Sequence, residues 1–222
     1  MNTEVDKADF WESRYIQQKT PWDIGQVAPA FKKYLLGPRT WDHGQLAINK
    51  EQLNRSQVQC SRFAVLGCGL GYDAFFFAKQ GFEVYAFDFS ESAIKKANET
   101  KAKMDMQNIY FYKEDLFELQ NKKRWMNSFD YVLEHTCFCA INPKRRNEYV
   151  DLIKYLLKPG GKLIGLFFVR SKPGGPPYGT NEKELRELFK DFKEIEKLHI
   201  EECLHGDILQ GDEYFGVFEK VL

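Results

Sequence analysis

Residues 62–88 read RFAVLGCGLGYDAFFFAKQGFEVYAFD. The stretch opens with an apolar run, Phe63–Leu66, which is typical of a buried β-strand. Glycines at alternate positions follow, then a segment over 72–80 with helical character, then a second strand over 83–87 that ends on Asp88. A strand, a glycine turn, a helix and a second strand closed by a carboxylate predict the nucleotide-binding half of a doubly wound α/β sheet.

The spacing of the glycines indicates which nucleotide the turn binds. Gly67, Gly69 and Gly71 form G-x-G-x-G, whereas a dinucleotide fingerprint is G-x-G-x-x-G, and no P-loop Lys-Ser or Lys-Thr pair follows. Asp73 would repel a pyrophosphate but suits a cationic amino group, which S-adenosylmethionine presents. Asp88 can accept hydrogen bonds from both ribose hydroxyls. The alternative is an ordinary tight βα turn that needs glycine.

Composition narrows the class of protein. The chain has 222 residues, which is most simply one domain (1–222) with a substantial core. Lysine and arginine together number 32, as do aspartate and glutamate, so the formal net charge is zero. We therefore expect neither nucleic acid nor an anionic membrane surface as a partner. We find no apolar run of membrane-spanning length and no signal-peptide pattern at the N-terminus.

The cysteines indicate a reducing compartment. Five are present and none forms a C-x-x-C pair: Cys60, Cys68, Cys137, Cys139 and Cys203. We interpret them as free thiols of a cytoplasmic protein. We expect no metal site, because the two cysteines that follow His135 alternate along a strand end, whose alternate side chains point to opposite faces.

The N-terminal part differs from the rest of the chain. A helix is predicted over 8–18 and another over 28–36, with Trp11 and Trp22 in the polar arm that they form. The tryptophans either pin the arm to the domain or cover a bound ligand, since aromatic faces attract cations such as a sulfonium. Residues 37–61 are predicted to be a connecting loop.

The remaining sequence continues the alternation of strands and helices. We expect helices over 90–104, 143–157 and 181–190, and strands over 108–113, 129–133, 162–169, 193–201 and 213–221. Ser90 is the predicted N-cap of the first of these helices, and a KPGG turn over 158–161 is predicted to end the second. No helix separates the last two strands, so they should form an antiparallel hairpin. The prediction is a seven-stranded, mostly parallel sheet with helices on both faces.

The chain resembles the class I S-adenosylmethionine-dependent methyltransferases, whose fold is Rossmann-like. The resemblance rests on VLGCGLGYD over 65–73, Asp88, the Glu114-Asp115 pair and LLKPGGKLI over 156–164. Three further segments look like the thiopurine S-methyltransferase family, most of all its thiol, thiocyanate and halide branch: TPWDIG over 20–25, CFCAINP over 137–143 and GGPPY over 174–178. This similarity runs from about Phe10 to the C-terminus.

The resemblance implies roles for individual residues. It places S-adenosylmethionine, with S-adenosylhomocysteine as the product, against these residues: Trp11, Tyr15, Trp22, Gly67, Gly69, Gly71, Asp73, Asp88, Asp115, Leu116 and His135. Tyr15 is a departure, since the halide branch often has tryptophan there. Residues 1–61 would form a lid over the cofactor and acceptor, and 62–222 the α/β core.

The resemblance also assigns three residues to the binding site of the methyl acceptor. Arg146 matches an arginine that faces the substrate, and Tyr178 would border the acceptor pocket. His135 could accept a proton from a thiol, although packing on adenine is the other role open to it. Arg146 could instead be a solvated helix charge, and Tyr178 could only anchor its loop.

The expected reaction is methyl transfer to a small soft nucleophile: a thiol, a thiopurine-like thiol, thiocyanate, sulfide or a halide. Such an acceptor needs little or no general base, so the enzyme mainly aligns the reactants and excludes water. Two other classes stay open: a Rossmann-type oxidoreductase that uses a nicotinamide dinucleotide, and a non-catalytic cofactor-binding protein. A monomer is favoured.

Overall fold

The computed structural model describes residues 3–36, 61–201, 203–204 and 211–221. Helices lie at α1 Ala8–Ile16, α2 Pro29–Leu36, α3 Tyr72–Lys79, α4 Glu91–Lys103, α5 Arg146–Leu156 and α6 Glu182–Leu188. Short 3-10 turns lie at Thr3–Asp6, Leu116–Asn121, Lys123–Trp125, Phe138–Ala140 and Pro143–Arg145. Cys60 and all but the last residue of the predicted loop over 37–61 lie outside the described residues.

The strands form one mixed sheet. They are β1 Arg62–Leu66, β2 Glu83–Asp88, β3 Ile109–Lys113, β4 Phe129–His135, β5 Leu157–Val169, β6 Phe192–Glu201 and β7 Asp212–Lys220. Their order is β3-β2-β1-β4-β5-β7-β6, and β7 pairs antiparallel with both β5 and β6. The predicted seven-stranded sheet with a terminal antiparallel hairpin is confirmed. The second strand of that hairpin lies between β5 and β6.

Alternate residues of β1 show why helices cover both faces of the sheet. Phe63 and Val65 belong to one buried cluster, which includes side chains of α2 and α3. Ala64 and Leu66 belong to the other, which includes side chains of α5. Successive side chains of a strand point to opposite faces, so an apolar run such as FAVL requires cover on each side.

The predicted start of α4 is confirmed, whereas the predicted start of β5 is wrong. The Ser90 hydroxyl accepts the Ala93 N–H at 3.1 Å, so the predicted N-cap is present. β5 begins at Leu157 rather than Lys162. Leu157 pairs with Phe129, and the register then shifts before Lys162 pairs with Tyr131. The predicted KPGG turn is therefore an irregularity inside one strand.

Candidate functional site

The predicted site residues lie along one edge of the sheet. The glycine turn follows β1, Asp88 ends β2, Asp115 follows β3 and His135 ends β4. These four strands are parallel, so their carboxyl ends meet at the same edge, where open α/β sheets bind ligands.

Asp88 shapes the glycine turn. Its Oδ2 accepts the Gly69 N–H and its Oδ1 accepts the Ser90 N–H, both at 2.8 Å. The side chain is buried, and burial raises the pKa of its carboxyl while these backbone bonds oppose the rise. A carboxylate offers about four lone-pair positions, so both oxygens can still accept a bond from a ribose hydroxyl.

Two glycines of the turn are packed so closely by other side chains that a Cβ atom would clash. Gly67 has φ +62° and a Cβ there would lie 2.8 Å from Cys137 Sγ. Gly69 has φ +52° and a Cβ there would lie 2.9 Å from the Tyr15 hydroxyl oxygen. Both positions combine positive φ with close approach, which is what glycine permits and other residues do not. The structure therefore requires glycine at both positions.

Three aromatic side chains of the N-terminal arm contact one another above this turn. The Trp11 and Trp22 rings meet edge to face at 5.6 Å between centroids, and Tyr15 and Trp22 at 6.1 Å. Trp22 Nε1 donates to the Tyr15 hydroxyl at 3.4 Å. Trp11 Nε1 donates to the Val5 carbonyl at 2.9 Å. These contacts hold the two halves of the arm together.

The aromatic residues close a main cleft at the sheet edge. Its walls come from the arm, the ends of β1 and β2, and the segments that follow β3, β4 and β5. The lining includes Val5, Asp6, Trp11, Arg14, Tyr15, Trp22, Gly67, Asp88, Phe89, Leu116, Phe117, Thr136, Cys137, Cys139, Ala140, Ile141, Arg145, Pro176 and Pro177. Most of these side chains are apolar. The cleft can therefore exclude water from a bound ligand.

A side pocket adjoins the main cleft. It is lined by Asp23, Cys68, Gly69, Asp73 and His135 among others, and it shares Tyr15, Trp22, Gly67 and Thr136 with the main cleft. Its lining is more evenly divided between polar and apolar groups than the lining of the main cleft. An elongated ligand with one polar end can occupy both spaces.

Leu116 and Phe117 line the main cleft, whereas Asp115 supports the turn that carries them and is not itself in the lining. Asp115 Oδ1 accepts the Phe117 N–H at 2.9 Å and caps the 3-10 turn that places Leu116 and Phe117 in the lining. Burial raises the pKa of the Asp115 carboxyl, against the effects of the Phe117 bond and of Arg145. Apolar side chains beside a carboxylate suit a flat base with an exocyclic amino group.

His135 is the centre of a buried charged group in the side pocket. Its Nδ1 lies 2.8 Å from Asp73 Oδ2, and its Nε2 lies 3.5 Å from Glu213 Oε1 on β7. Burial lowers the pKa of the imidazole, but the two carboxylates outweigh burial and raise it to about 10. His135 is therefore protonated at neutral pH and has no lone pair with which to accept a proton from a thiol.

Arg146 does not lie where the sequence predicts. Its side chain is only 4% exposed, and its guanidinium donates to the Glu184 carboxylate and to the Gly179 carbonyl at 2.9 Å. It stacks over Phe138 instead of lining the main cleft. The alternative of a solvated helix charge is also wrong. Arg146 joins α5 to the segment that leads into α6.

The arginine that reaches the main cleft at this point is Arg145. Its guanidinium lies 3.5 Å above the Phe117 ring centroid and donates two bonds of 2.8 Å to Glu148. Asp6 lies 3.8 Å away on the arm. Arg145 belongs to the 3-10 turn at Pro143–Arg145, which precedes α5 and has a different angular phase.

Tyr178 is buried and is not part of the lining of the main cleft. It is 6% exposed, and its N–H donates to the Cys139 carbonyl at 2.7 Å. Pro176 and Pro177 of the same GGPPY segment line the cleft in its place. The open alternative, in which Tyr178 anchors its loop, matches this geometry.

Sequence reasoning missed several lining residues. Arg14 lies at helical spacing from Trp11 on α1, and that spacing could have identified it. Cys137 and Cys139 both line the main cleft because a 3-10 turn, and not a strand, follows β4. Cys68, Cys137 and Cys139 are free thiols. Among the described residues, no cluster of histidine, cysteine and carboxylate side chains is arranged to hold a metal ion.

Comparison with known proteins agrees with this geometry. The profile of the thiopurine S-methyltransferase family matches residues 6–221. Thiocyanate methyltransferase 1 of Arabidopsis thaliana is 30% identical over 214 residues, covering 95% of this chain and 84% of that protein. A thiopurine S-methyltransferase of Legionella pneumophila (strain Corby) is 24% identical, covering 71% of this chain and 81% of that protein.

A solved structure shows the same fold. The 1,6-didemethyltoxoflavin-N1-methyltransferase of Burkholderia thailandensis, solved with S-adenosylhomocysteine, superposes with a TM-score of 0.68. It is 18% identical, and the match covers 97% of this chain and 87% of that one. No helix in the described part of this chain is long and apolar enough to cross a membrane. The chain belongs to the thiopurine S-methyltransferase family and is an S-adenosylmethionine-dependent methyltransferase.

Proposed function

We propose that this enzyme transfers the methyl group of S-adenosylmethionine to a small soft nucleophile: a thiol, a thiopurine-like thiol, thiocyanate, sulfide or a halide. The observation that carries the proposal is the mainly apolar main cleft beside Gly67, with thiols and prolines in its wall. An acceptor that is already nucleophilic can react in such a cleft without a strong base. The thiocyanate and thiopurine methyltransferase relatives support this class of acceptor.

The cofactor residues keep the roles that the sequence suggests, as part of this proposal. The glycine turn would hold the methionine part, with Asp73 near its amino group in the side pocket. Asp88 would bind the ribose, and Asp115 with Leu116 the adenine. Trp11, Tyr15 and Trp22 would cover the sulfonium side. When bound, the cofactor supplies a methyl group on a positively charged sulfur.

The protein's own contribution would be alignment and exclusion of water. Holding two reactants in line contributes about 7–11 kcal/mol to lowering the barrier in well-oriented systems. His135, protonated between Asp73 and Glu213, would orient the side pocket rather than take a proton. An acceptor thiol would then react as the thiolate that it forms in solution, or lose its proton to water.

The same proposal covers the lid and the surroundings of the enzyme. Residues 1–61 would cover the cofactor and acceptor, and within the described range the arm over 5–22 supports this because it lines the main cleft. A cytoplasmic monomer that binds neither nucleic acid nor membrane fits the balanced charge and the free thiols.

A methyl-transfer screen tests the proposal. Purified enzyme with S-adenosylmethionine would be offered iodide, thiocyanate, bisulfide, an aromatic thiol and a thiopurine, with methylated products and S-adenosylhomocysteine both measured. We expect turnover of at least one acceptor and none by the Asp88→Ala variant. Tight binding of S-adenosylhomocysteine without any methylated product would overturn the acceptor class and favour a non-catalytic binding protein.

A further inference from the structure

Glu12 lies on α1 between the two cleft residues Trp11 and Tyr15, yet it is not part of the cleft lining. Its carboxylate contacts the N-terminus of α4. Oε2 accepts the Ser90 hydroxyl at 2.7 Å and the Ser92 N–H at 3.0 Å, and Oε1 accepts the Ser92 hydroxyl at 2.5 Å. A carboxylate is favoured at a helix N-terminus because unpaired N–H groups and the helix dipole both attract negative charge.

One residue connects this contact to the predicted ribose site. The Ser90 N–H donates to Asp88 Oδ1, while the Ser90 hydroxyl donates to Glu12 and accepts from the Ala93 N–H. Ser90 is fully buried. The carboxylate that shapes the glycine turn and the carboxylate that holds the arm are therefore bonded to the same residue. A displacement of α1 would disturb both.

The arm has a second anchor at the other end of the site. The Ala28 N–H, just before α2, donates to Asp73 Oδ1 at 3.0 Å. The segment over 13–27 carries Arg14, Tyr15 and Trp22 and runs across the cleft. A hydrogen-bonded carboxylate anchors it at each end. Glu12 fixes its start at β2 and α4, and Asp73 fixes its end at the glycine turn.

We propose that Glu12 is a positioning residue for the cofactor site. It holds α1 in the closed position before the cofactor binds, so that Trp11 and Tyr15 are already in place. Ordering a flexible segment on binding weakens affinity, and a segment ordered beforehand avoids that loss. The inference rests on the cofactor assignment but not on the identity of the acceptor.

Binding of S-adenosylhomocysteine, measured by calorimetry without any acceptor, tests the role of Glu12. We expect Glu12→Ala to raise its Kd at least 10-fold, and Glu12→Gln to raise it less because an amide oxygen can still accept from Ser92. Ser92→Ala should raise the Kd by a smaller factor than Glu12→Ala. Adding Ser92→Ala to the Glu12→Ala variant should not raise the Kd further. The control is Asp9→Ala, an exposed acidic residue on the same helix, which should leave the Kd unchanged.

Amide hydrogen exchange provides a readout that does not depend on the cofactor. In the ligand-free protein, Glu12→Ala should speed exchange over 10–16 at least 10-fold while exchange in β1 and β4 stays as in the wild type. A KM for S-adenosylmethionine that rises with kcat nearly unchanged would support positioning. Wild-type Kd and wild-type exchange in Glu12→Ala would overturn the proposal. Failure of the wild type to bind S-adenosylhomocysteine would instead refute the cofactor assignment.

Discussion

His135 and Asp73 are joined by a 2.8 Å contact between Nδ1 and Oδ2, although 62 residues separate them in the chain. The other oxygen of Asp73 accepts the Ala28 N–H, and the other nitrogen of His135 faces Glu213. The pair thus connects the arm, the glycine turn, β4 and β7 at one buried point. Its charge state should affect the stability of the whole fold.

The protein should lose stability as the pH rises from about 7.5 to 10. The pKa of His135 is raised to about 10, so its stabilising charge is fully present below the ordinary histidine pKa and is lost as the pH approaches 10. Burial raises the pKa of Glu134 to about 7, although the hydrogen bonds from Tyr149 and Phe138 oppose the rise. Glu134 therefore titrates below the range of about pH 7.5 to 10. Denaturant unfolding at several pH values would measure the loss, on the order of 3 kcal/mol.

His135→Gln should show a much smaller loss over the same pH range, because glutamine carries no proton to release. His199→Gln serves as the control, since His199 lies on β6 away from the cleft. If the His135 variant and the wild type lose stability equally, the imidazolium between the two carboxylates does not determine the alkaline stability.

Trp22→Ala should weaken binding of S-adenosylmethionine by about 0.5–2 kcal/mol if the indole packs on the sulfonium side. Binding of S-adenosylhomocysteine, which has no positive sulfur, should weaken less. Titration calorimetry of both ligands separates the two cases. Ile16→Ala, an exposed position on α1, is the control. A lower melting temperature with unchanged binding of both ligands would show that Trp22 only pins the arm.

Asp88→Asn should weaken cofactor binding by roughly 10- to 150-fold per lost charge-assisted bond, since each contributes about 1.5–3 kcal/mol. An S-adenosylhomocysteine analogue without one ribose hydroxyl makes the test specific. The wild type should bind the analogue more weakly than the parent ligand, and the variant should bind both almost equally. Equal discrimination by both proteins would place the ribose elsewhere.

Arg145→Ala and Arg146→Ala form a matched pair with opposite expected effects. Arg146→Ala should lower the free energy of unfolding by about 2–3 kcal/mol. This loss is smaller than the roughly 3–5 kcal/mol for breaking a fully buried ion pair, because Glu184 is partly exposed. Arg145→Ala should leave the melting temperature nearly unchanged but raise the KM of anionic acceptors severalfold. Thermal unfolding and initial rates with thiocyanate distinguish them. A reversed pattern would return Arg146 to the acceptor pocket.

The local structure around the glycine turn could be predicted because its signals come from neighbouring residues. The glycine turn, Asp88 and the Ser90 cap each follow from a few consecutive residues whose backbone chemistry allows few alternatives. The sheet followed from the alternation of strands and helices, and the terminal hairpin from the missing helix between the last two strands.

The acceptor side could not be predicted in the same way. Whether Arg145 or Arg146 faces the cleft depends on a 3-10 turn that rotates the chain by a different angle from an α-helix. The partner of His135, Glu213, comes from β7, and nothing near position 135 indicates it. The position of Tyr178 depends on a backbone bond to Cys139 on another segment. Such non-local contacts leave no periodic trace in the sequence.

The position of β7 has a consequence for biogenesis. β7 follows β6 in the chain, yet it lies between β5 and β6. During synthesis, the edge of β5 therefore stays unpaired after the parallel strands have emerged, and the buried Phe167 and Phe168 lie on that strand. An exposed apolar edge strand is prone to aggregation. We expect nascent or truncated chains that lack β7 to depend on chaperones, and to lack Glu213 beside His135 even where the cofactor turn has formed.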